Sequence, residues 1–261
     1  MKLENKLCVL TGGAGMLAEQ FAIALMEEGS KVFLLDIDQE ALKNKINILT
    51  QKYPNQCEGI QTDITNELSV NKAKELIIKN NRKIDVLINI AANNPKIESN
   101  NKINFSRIEN FTLSQWNIDL SVGLTGAFIC AKIFGTEMAK EKQGIIVNIA
   151  SDLSIIAPDQ RIYREDNLKD DIQPVKPITY SVVKSGLIGL TKYLASMYGK
   201  KINVNCIING GIEADQPKKF KKALTFHIPK KRMMKTEDLY GMLELLTSKR
   251  SDYINGSSIV M

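Results

Sequence analysis

Histidine is almost missing from this chain of 261 residues, which carries only His227. A Ser/His/Asp hydrolase is therefore poorly supported, because one histidine without a Gly-x-Ser-x-Gly elbow does not make a triad. Cysteine is sparse too: Cys8, Cys57, Cys130 and Cys206 stand singly, without a Cys-x-x-Cys pair or a Cys/His cluster. That spacing predicts reduced core thiols and no metal site. No stretch of 18 uninterrupted apolar residues occurs, and the N-terminal apolar segment is too short for a signal peptide. The expectation is a cytoplasmic protein with no membrane partner. The net charge of +6 raises the question of nucleic acid. The lysines are dispersed, however, and the densest cluster, Lys218, Lys219, Lys221 and Lys222, lacks an aromatic-rich binding motif, so it reads as a solvated face.

What is present is a 44% hydrophobic content arranged in short runs. Residues 7–10, 32–35, 86–90, 145–149 and 204–208 are apolar throughout, as strands buried on both faces should be, and 257–261 adds an edge strand. Helical patterns over 16–28, 39–51, 66–80, 114–140, 179–198 and 236–247 alternate with them. The βαβα order predicts one α/β domain over 1–261, with a doubly wound, mostly parallel sheet and helices on both faces. Residues 157–177 break the alternation with prolines and charges, a length that marks a lid, a binding loop or disorder.

A glycine-rich turn, Thr11, Gly12, Gly13, Ala14 and Gly15, joins the first strand to the first helix. Glycine there lets the backbone approach a pyrophosphate, and the helix N-terminus offers unpaired N–H groups and a positive dipole end. The second strand ends at Asp36, positioned to accept hydrogen bonds from an adenosine ribose and to repel a 2′-phosphate, which favours NAD over NADP. A helix cap near Asp38 is the bland alternative for Asp36, and a cap near Asn66 is the alternative for Asp63, the candidate for an adenine edge.

Tyr180 and Lys184 lie one turn apart on a helix, and Ser151 follows the strand 145–149. With seven tyrosines and 35 Lys and Arg residues, chance alone gives about one such tyrosine–basic spacing, so the ordered set carries the weight. A nearby ammonium favours a phenolate, which would let Tyr180 transfer a proton at neutral pH. Ser151 would hydrogen-bond a substrate oxygen. The alternatives are a surface pair for Tyr180 and Lys184 and a strand-end cap for Ser151. Arg161 and Arg164, in the inserted loop, suit an anionic substrate; equally, Glu165, Asp166, Asp170 and Asp171 would neutralise them in a solvated loop.

In this order the motifs resemble the short-chain dehydrogenase/reductase family over essentially the whole chain, which implies a Rossmann fold of about seven strands. The resemblance makes Ser151, Tyr180 and Lys184 catalytic. It assigns NAD to Thr11, Gly12, Gly13, Gly15, Met16, Leu17, Asp36, Asp63, Ile64, Asn89, Ala91, Tyr180, Lys184, Gly210 and Ile212. The chain departs from the family pattern at Met16 and Ala18 in the turn, at Ile90, at Asn209, and at Gly123 where the family has an asparagine that positions a relay water. A glycine leaves room for water there, so slower turnover is expected. More narrowly, segments such as ProIleThrTyrSerValValLysSerGly look like a bacterial flagellin-modification subgroup associated with sialic-acid-like nonulosonic sugars. That implies a small sugar-like substrate, amino- or nucleotide-linked, and a homodimer or homotetramer; the family also usually continues beyond the point where Met261 stands. The alternative is a catalytically weak dinucleotide-binding module that keeps the fold.

Overall fold

The run Leu7–Thr11 forms strand β1 and is buried along its whole length, because both faces of the sheet are covered by helices. The computed structural model describes residues 3–81, 83–93 and 106–261, with side chains omitted at 80 and 81. Six further strands join β1: β2 (Lys31–Asp36), β3 (Cys57–Gln61), β4 (Val86–Asn89), β5 (Ile145–Ile149), β6 (Asn203–Ile208) and β7 (Ser258–Val260). They make a 7-stranded sheet in the order β3-β2-β1-β4-β5-β6-β7, and each pairing is parallel. The chain reverses its direction of travel across the sheet between β1 and β4, and a crevice opens at the carboxyl ends of those strands.

Alternation along the strands splits the core in two. Leu7, Val9, Phe33, Leu35 and Leu87 pack on one face with residues of α3 (Glu67–Asn81), α5 (Gly126–Lys140) and α6 (Ile178–Tyr198). Cys8, Leu10, Val32, Leu34 and Ile88 pack on the other with α1 (Met16–Glu27), α2 (Gln39–Lys52) and α8 (Tyr240–Thr247). All four cysteines are buried and free. Burial holds the thiols of Cys8, Cys57 and Cys130 up at about 12.

Three elements differ from the sequence expectation. The single helix expected over 114–140 is α4 (Leu113–Leu120), a π-helical turn Ser121–Thr125, and then α5. Gly123 and Gly126 bring this stretch into close packing: a Cβ on Gly126 would lie 2.6 Å from Ile64 Cδ1. The run Leu113–Lys140 is long and apolar enough to cross a membrane by length and composition, but 56% of its most apolar window is buried inside the fold. The segment 236–247 opens as a 3-10 turn, Thr236–Leu239, before α8. The lysine cluster read as a solvated face belongs to a helix, α7 (Lys218–His227), that follows Pro217.

The loop 157–177 is built rather than loose. It holds two 3-10 turns, Gln160–Tyr163 and Asp170–Ile172. Gln173 Nε2 donates to the carbonyls of Glu165 and Leu168, and its Oε1 accepts from Glu165 N–H. Gln160 accepts from Lys176 N–H at 2.7 Å, so two glutamine side chains supply the loop with partners that a ladder would otherwise provide.

Candidate active site

The glycine turn after β1 is held from three sides. Gly12 has φ of 69°, a conformation that suits glycine, and a Cβ there would lie 3.0 Å from Ala91 Cα. At Gly13 a Cβ would lie 2.6 Å from Leu34 Cβ. The buried Thr11 hydroxyl accepts from the N–H groups of Ile90 and Ala91 at 3.0 and 3.1 Å; its side chain thus fastens the ends of β1 and β4 together. Gly15 caps α1 with no side-chain bond, so the first N–H groups of that helix, beginning at the half-exposed Met16, face the crevice without a side-chain acceptor. Leu17 turns back and packs on the core.

Asp36 closes the turn. Its Oδ2 accepts from Ala14 N–H at 2.9 Å and its Oδ1 from Asp38 N–H at 3.0 Å. The capping of α2 falls to Asp38, which accepts from Ala41 N–H at 2.9 Å, so Asp36 is not the helix cap. Asp63 accepts from both N–H and hydroxyl of Thr65, while Asn66 accepts from Leu68 and Ser69 at the start of α3. Ile64 is buried, and Asn89 donates to Asn148 Oδ1 at 2.8 Å with its own Oδ1 unpaired. An uncapped helix N-terminus, glycines too crowded for any side chain and a carboxylate at the end of β2 fit an adenine dinucleotide: the turn and the first residues of α1 would hold its pyrophosphate and Asp36 its ribose.

Ser151 follows β5, caps the 3-10 turn Asp152–Ser154, and donates to Asp152 Oδ1 at 2.7 Å. The Tyr180 hydroxyl, from the first turn of α6, faces the Ser151 side chain. Lys184, one turn further along, is buried and donates to the Ile149 carbonyl at 2.8 Å; its Nζ stands 5.9 Å from the Tyr180 ring centre. The structure thus brings the three residues together at the carboxyl end of β5. Their electrostatics differ from the expectation. Burial pushes the Tyr180 phenol up, with Asp152 raising it further and the Ser151 hydrogen bond opposing. Burial also brings the Lys184 ammonium down to about 8, because desolvation disfavours the charged form.

A cavity of about 10 Å³, roughly the room one water needs, lies beside this set, with Asn93, Asp119, Gly123, Tyr180, Val183 and Lys184 in its wall. Gly123 thus borders a water-sized space, as expected, while the direction that a side chain of its own would take is closed: a Cβ there would lie 2.5 Å from Val183 Cγ1. Asp119 is a residue the sequence reading missed. It is 3% exposed, accepts from Asn93 Nδ2 and Gln115 Nε2 at 2.7 Å each, and also takes the Thr179 hydroxyl. An acid between Ile118 and Leu120, in a stretch that turns apolar after it, was the available signal, since a buried carboxylate needs partners.

Both loop arginines are paired with acids. Arg161 makes two bonds of 2.8 Å to Asp159, which draws the Asp159 carboxyl down to about 2, and Arg164 pairs with Asp170. α7 rests on the loop through the Tyr163 and Phe220 rings, 5.4 Å apart, and through Lys219 to Asp166 at 2.5 Å. After β6, a Cβ on Gly210 would meet nothing within 4 Å, Ile212 bridges to Met234, and Asn209 accepts at its carbonyl from Asp152 N–H at 2.9 Å. Among the described residues there is no cluster suited to a metal ion.

Comparison with known proteins agrees with this geometry. The short chain dehydrogenase family matches residues 6–162, and the enoyl-(acyl carrier protein) reductase family matches 170–261. A 3-oxoacyl-[acyl-carrier-protein] reductase of Aquifex aeolicus is 28% identical, covering 99% of this chain and 96% of the relative. A post-translational flagellin modification protein A of Campylobacter coli is 24% identical, covering 99% and 97%. The crystal structure of a short chain dehydrogenase from Leptospira borgpetersenii with bound NAD+ is 29% identical, with a TM-score of 0.80 over 99% of this chain and 92% of that one. The chain belongs to the short-chain dehydrogenase/reductase family, oxidoreductases that interconvert CH–OH and keto groups.

Proposed function

We propose that this protein is an NAD(H)-dependent oxidoreductase acting on an amino- or nucleotide-linked sugar, in the cytoplasm, for modification of a surface glycan or flagellin. The observation that carries the reading is the convergence of Ser151, Tyr180 and Lys184 at the carboxyl end of β5, next to a glycine turn whose helix is uncapped. The sugar substrate rests on more limited support, the flagellin-modification relative at 24% identity. Nicotinamide, when bound, gives or takes the hydride. The Ser151 hydroxyl binds the substrate oxygen and the Tyr180 hydroxyl exchanges a proton with it. Lys184 holds the nicotinamide ribose and, once bound groups complete its shell, favours the phenolate. Asp36 selects NAD by repelling a 2′-phosphate. Phe128 on α5 and Tyr193 and Met197 on α6 are exposed and supply an apolar face for a homodimer or homotetramer.

Spectrophotometric assay at 340 nm with NAD+ and a panel of nucleotide-linked and amino sugars tests this. Turnover of one of these sugars is expected, reduced about 100-fold or more in Tyr180→Phe. Turnover of 3-oxoacyl thioesters and of no sugar would replace the substrate assignment. A second reading, a weakly catalytic dinucleotide-binding module, draws on Val183 occupying the space beside Gly123. Cofactor binding without turnover on any substrate tried would favour it.

A further inference from the structure

Lys176 stands four residues before Tyr180, as Lys184 stands four after, and its Nζ lies 3.7 Å from the centre of the Tyr180 ring. That is closer than the 5.9 Å of Lys184 and well inside the range of a cation on an aromatic face. The placement is enforced. Gln160, from the loop's first 3-10 turn, accepts from Lys176 N–H at 2.7 Å and donates toward its carbonyl. Pro177 follows and restricts Lys176 to extended backbone, as it caps α6 with ψ of 142°. The sequence reading passed over Lys176 because the residue sits in the irregular loop.

We propose that Lys176 is a second positioning lysine, which acts on Tyr180 through the face of its ring while Lys184 acts from the cofactor side. The inference rests on the proton-transfer role given to Tyr180 above. A cation on the ring face favours the electron-rich phenolate over the phenol, and so counters the burial that otherwise holds the proton on Tyr180. Among the described residues, the groups facing the pair include Asp152 from the turn after β5, which also attracts the Lys176 ammonium, Tyr163 from the loop, and Lys184. Cys206 on β6 faces Lys184 from behind. Burial lowers the Lys176 ammonium to about 8, so its effect is full at neutral pH and fades as pH rises through that value. Because the loop carries the lysine, whatever moves the loop away from the site also leaves Tyr180 more fully protonated.

The test is a tyrosinate titration of the full-length protein by ultraviolet difference absorbance, with Tyr180→Phe subtracted to isolate Tyr180. No turnover is needed, so the result is independent of the sugar assignment. Lys176 is neutral by the pH at which Tyr180 titrates, so the decisive variant is Lys176→Arg, whose lasting charge on the ring face is expected to lower the Tyr180 midpoint by roughly 0.5 to 1.5 pH units from the wild type. A midpoint in a folded Lys176→Arg no lower than that of the wild type would overturn the proposal. Should that variant not fold, carbon-13 reductive methylation of the wild-type protein decides. A dimethyl-lysine signal shifted upfield by a ring and absent from Lys176→Met is expected, and its absence from the wild type would equally overturn the inference.

Discussion

Gly123 and Val183 should behave as a coupled pair, and Gly123→Asn exposes the coupling. The new Cβ would lie 2.5 Å from Val183 Cγ1, inside a π-helical turn packed against α6. Val183 is itself buried at 5% exposure, and the cavity it borders has room for no more than one water. Overpacking of this kind costs about 1–3 kcal/mol. For a chain near this size each kcal/mol lowers the melting temperature by roughly 2–4 °C, so a fall of about 2–12 °C is expected. Val183→Ala alone removes buried methyl groups and should cost about 1–2 kcal/mol. In the double variant the asparagine enters the space left by the valine, so the two costs should not add, with a favourable coupling of about 1–2 kcal/mol. Urea and thermal unfolding of the four proteins in the cycle measure this. Strict additivity, or a Gly123→Asn protein as stable as wild type, would refute the reasoning. If the double variant also turns over faster, the asparagine has regained a relay position that Val183 denies it.

Two further outcomes follow from the buried polar groups. Asp119→Ala leaves the donors of Asn93, Gln115 and Thr179 without their acceptor and should lower stability by roughly 3 kcal/mol in urea unfolding, whereas Asp119→Asn keeps an acceptor and should lose less; equal loss in both would contradict this. The stability–pH curve should rise above pH 8 and then bend over. Lys184 and Lys176 titrate near 8 when folded against 10.5 for the free group, so above pH 8 the unfolded state binds more protons and folding gains. The thiols of Cys8, Cys57 and Cys130 titrate at about 12 folded against 9.0 free, so above pH 9 the unfolded state releases protons first and folding loses. The rise between pH 8 and 9 should vanish in a Lys176→Met/Lys184→Met protein, and its persistence would remove the assignment.

Much of the fold was legible because burial on both sheet faces writes itself as short apolar runs. β1, β2, β4, β5 and β6 lie where those runs stand, and the glycine turn and Ser151, Tyr180 and Lys184 meet at the strand ends as their order implied. β3 was harder to see: Cys57–Gln61 is an edge strand with exposed residues, and its sequence carries no apolar run. α7 was missed since its apolar stripe is short and only half-buried, Phe220 and Leu224 among six polar or charged neighbours, and its packing comes from Tyr163 far away in sequence. The π-turn at Ser121–Thr125 was illegible for the same reason, since what selects it is the shape of Ile64 and Val183 on other elements. The order of the loop 157–177 depends on Gln160 and Gln173, residues whose composition suggests solvent. The raised Tyr180 phenol reverses a local argument: helical spacing brought Lys184 near, but burial outweighs it and the ammonium is directed to the Ile149 carbonyl.

The most direct test of the account is a fluorescence titration of the purified protein with NADH and, in parallel, NADPH. Micromolar binding of NADH, at least about tenfold tighter than NADPH and reversed in preference or levelled in Asp36→Ala, is what the turn and Asp36 predict. Binding of neither dinucleotide would contradict the cofactor site, and with it the oxidoreductase reading of Ser151, Tyr180 and Lys184.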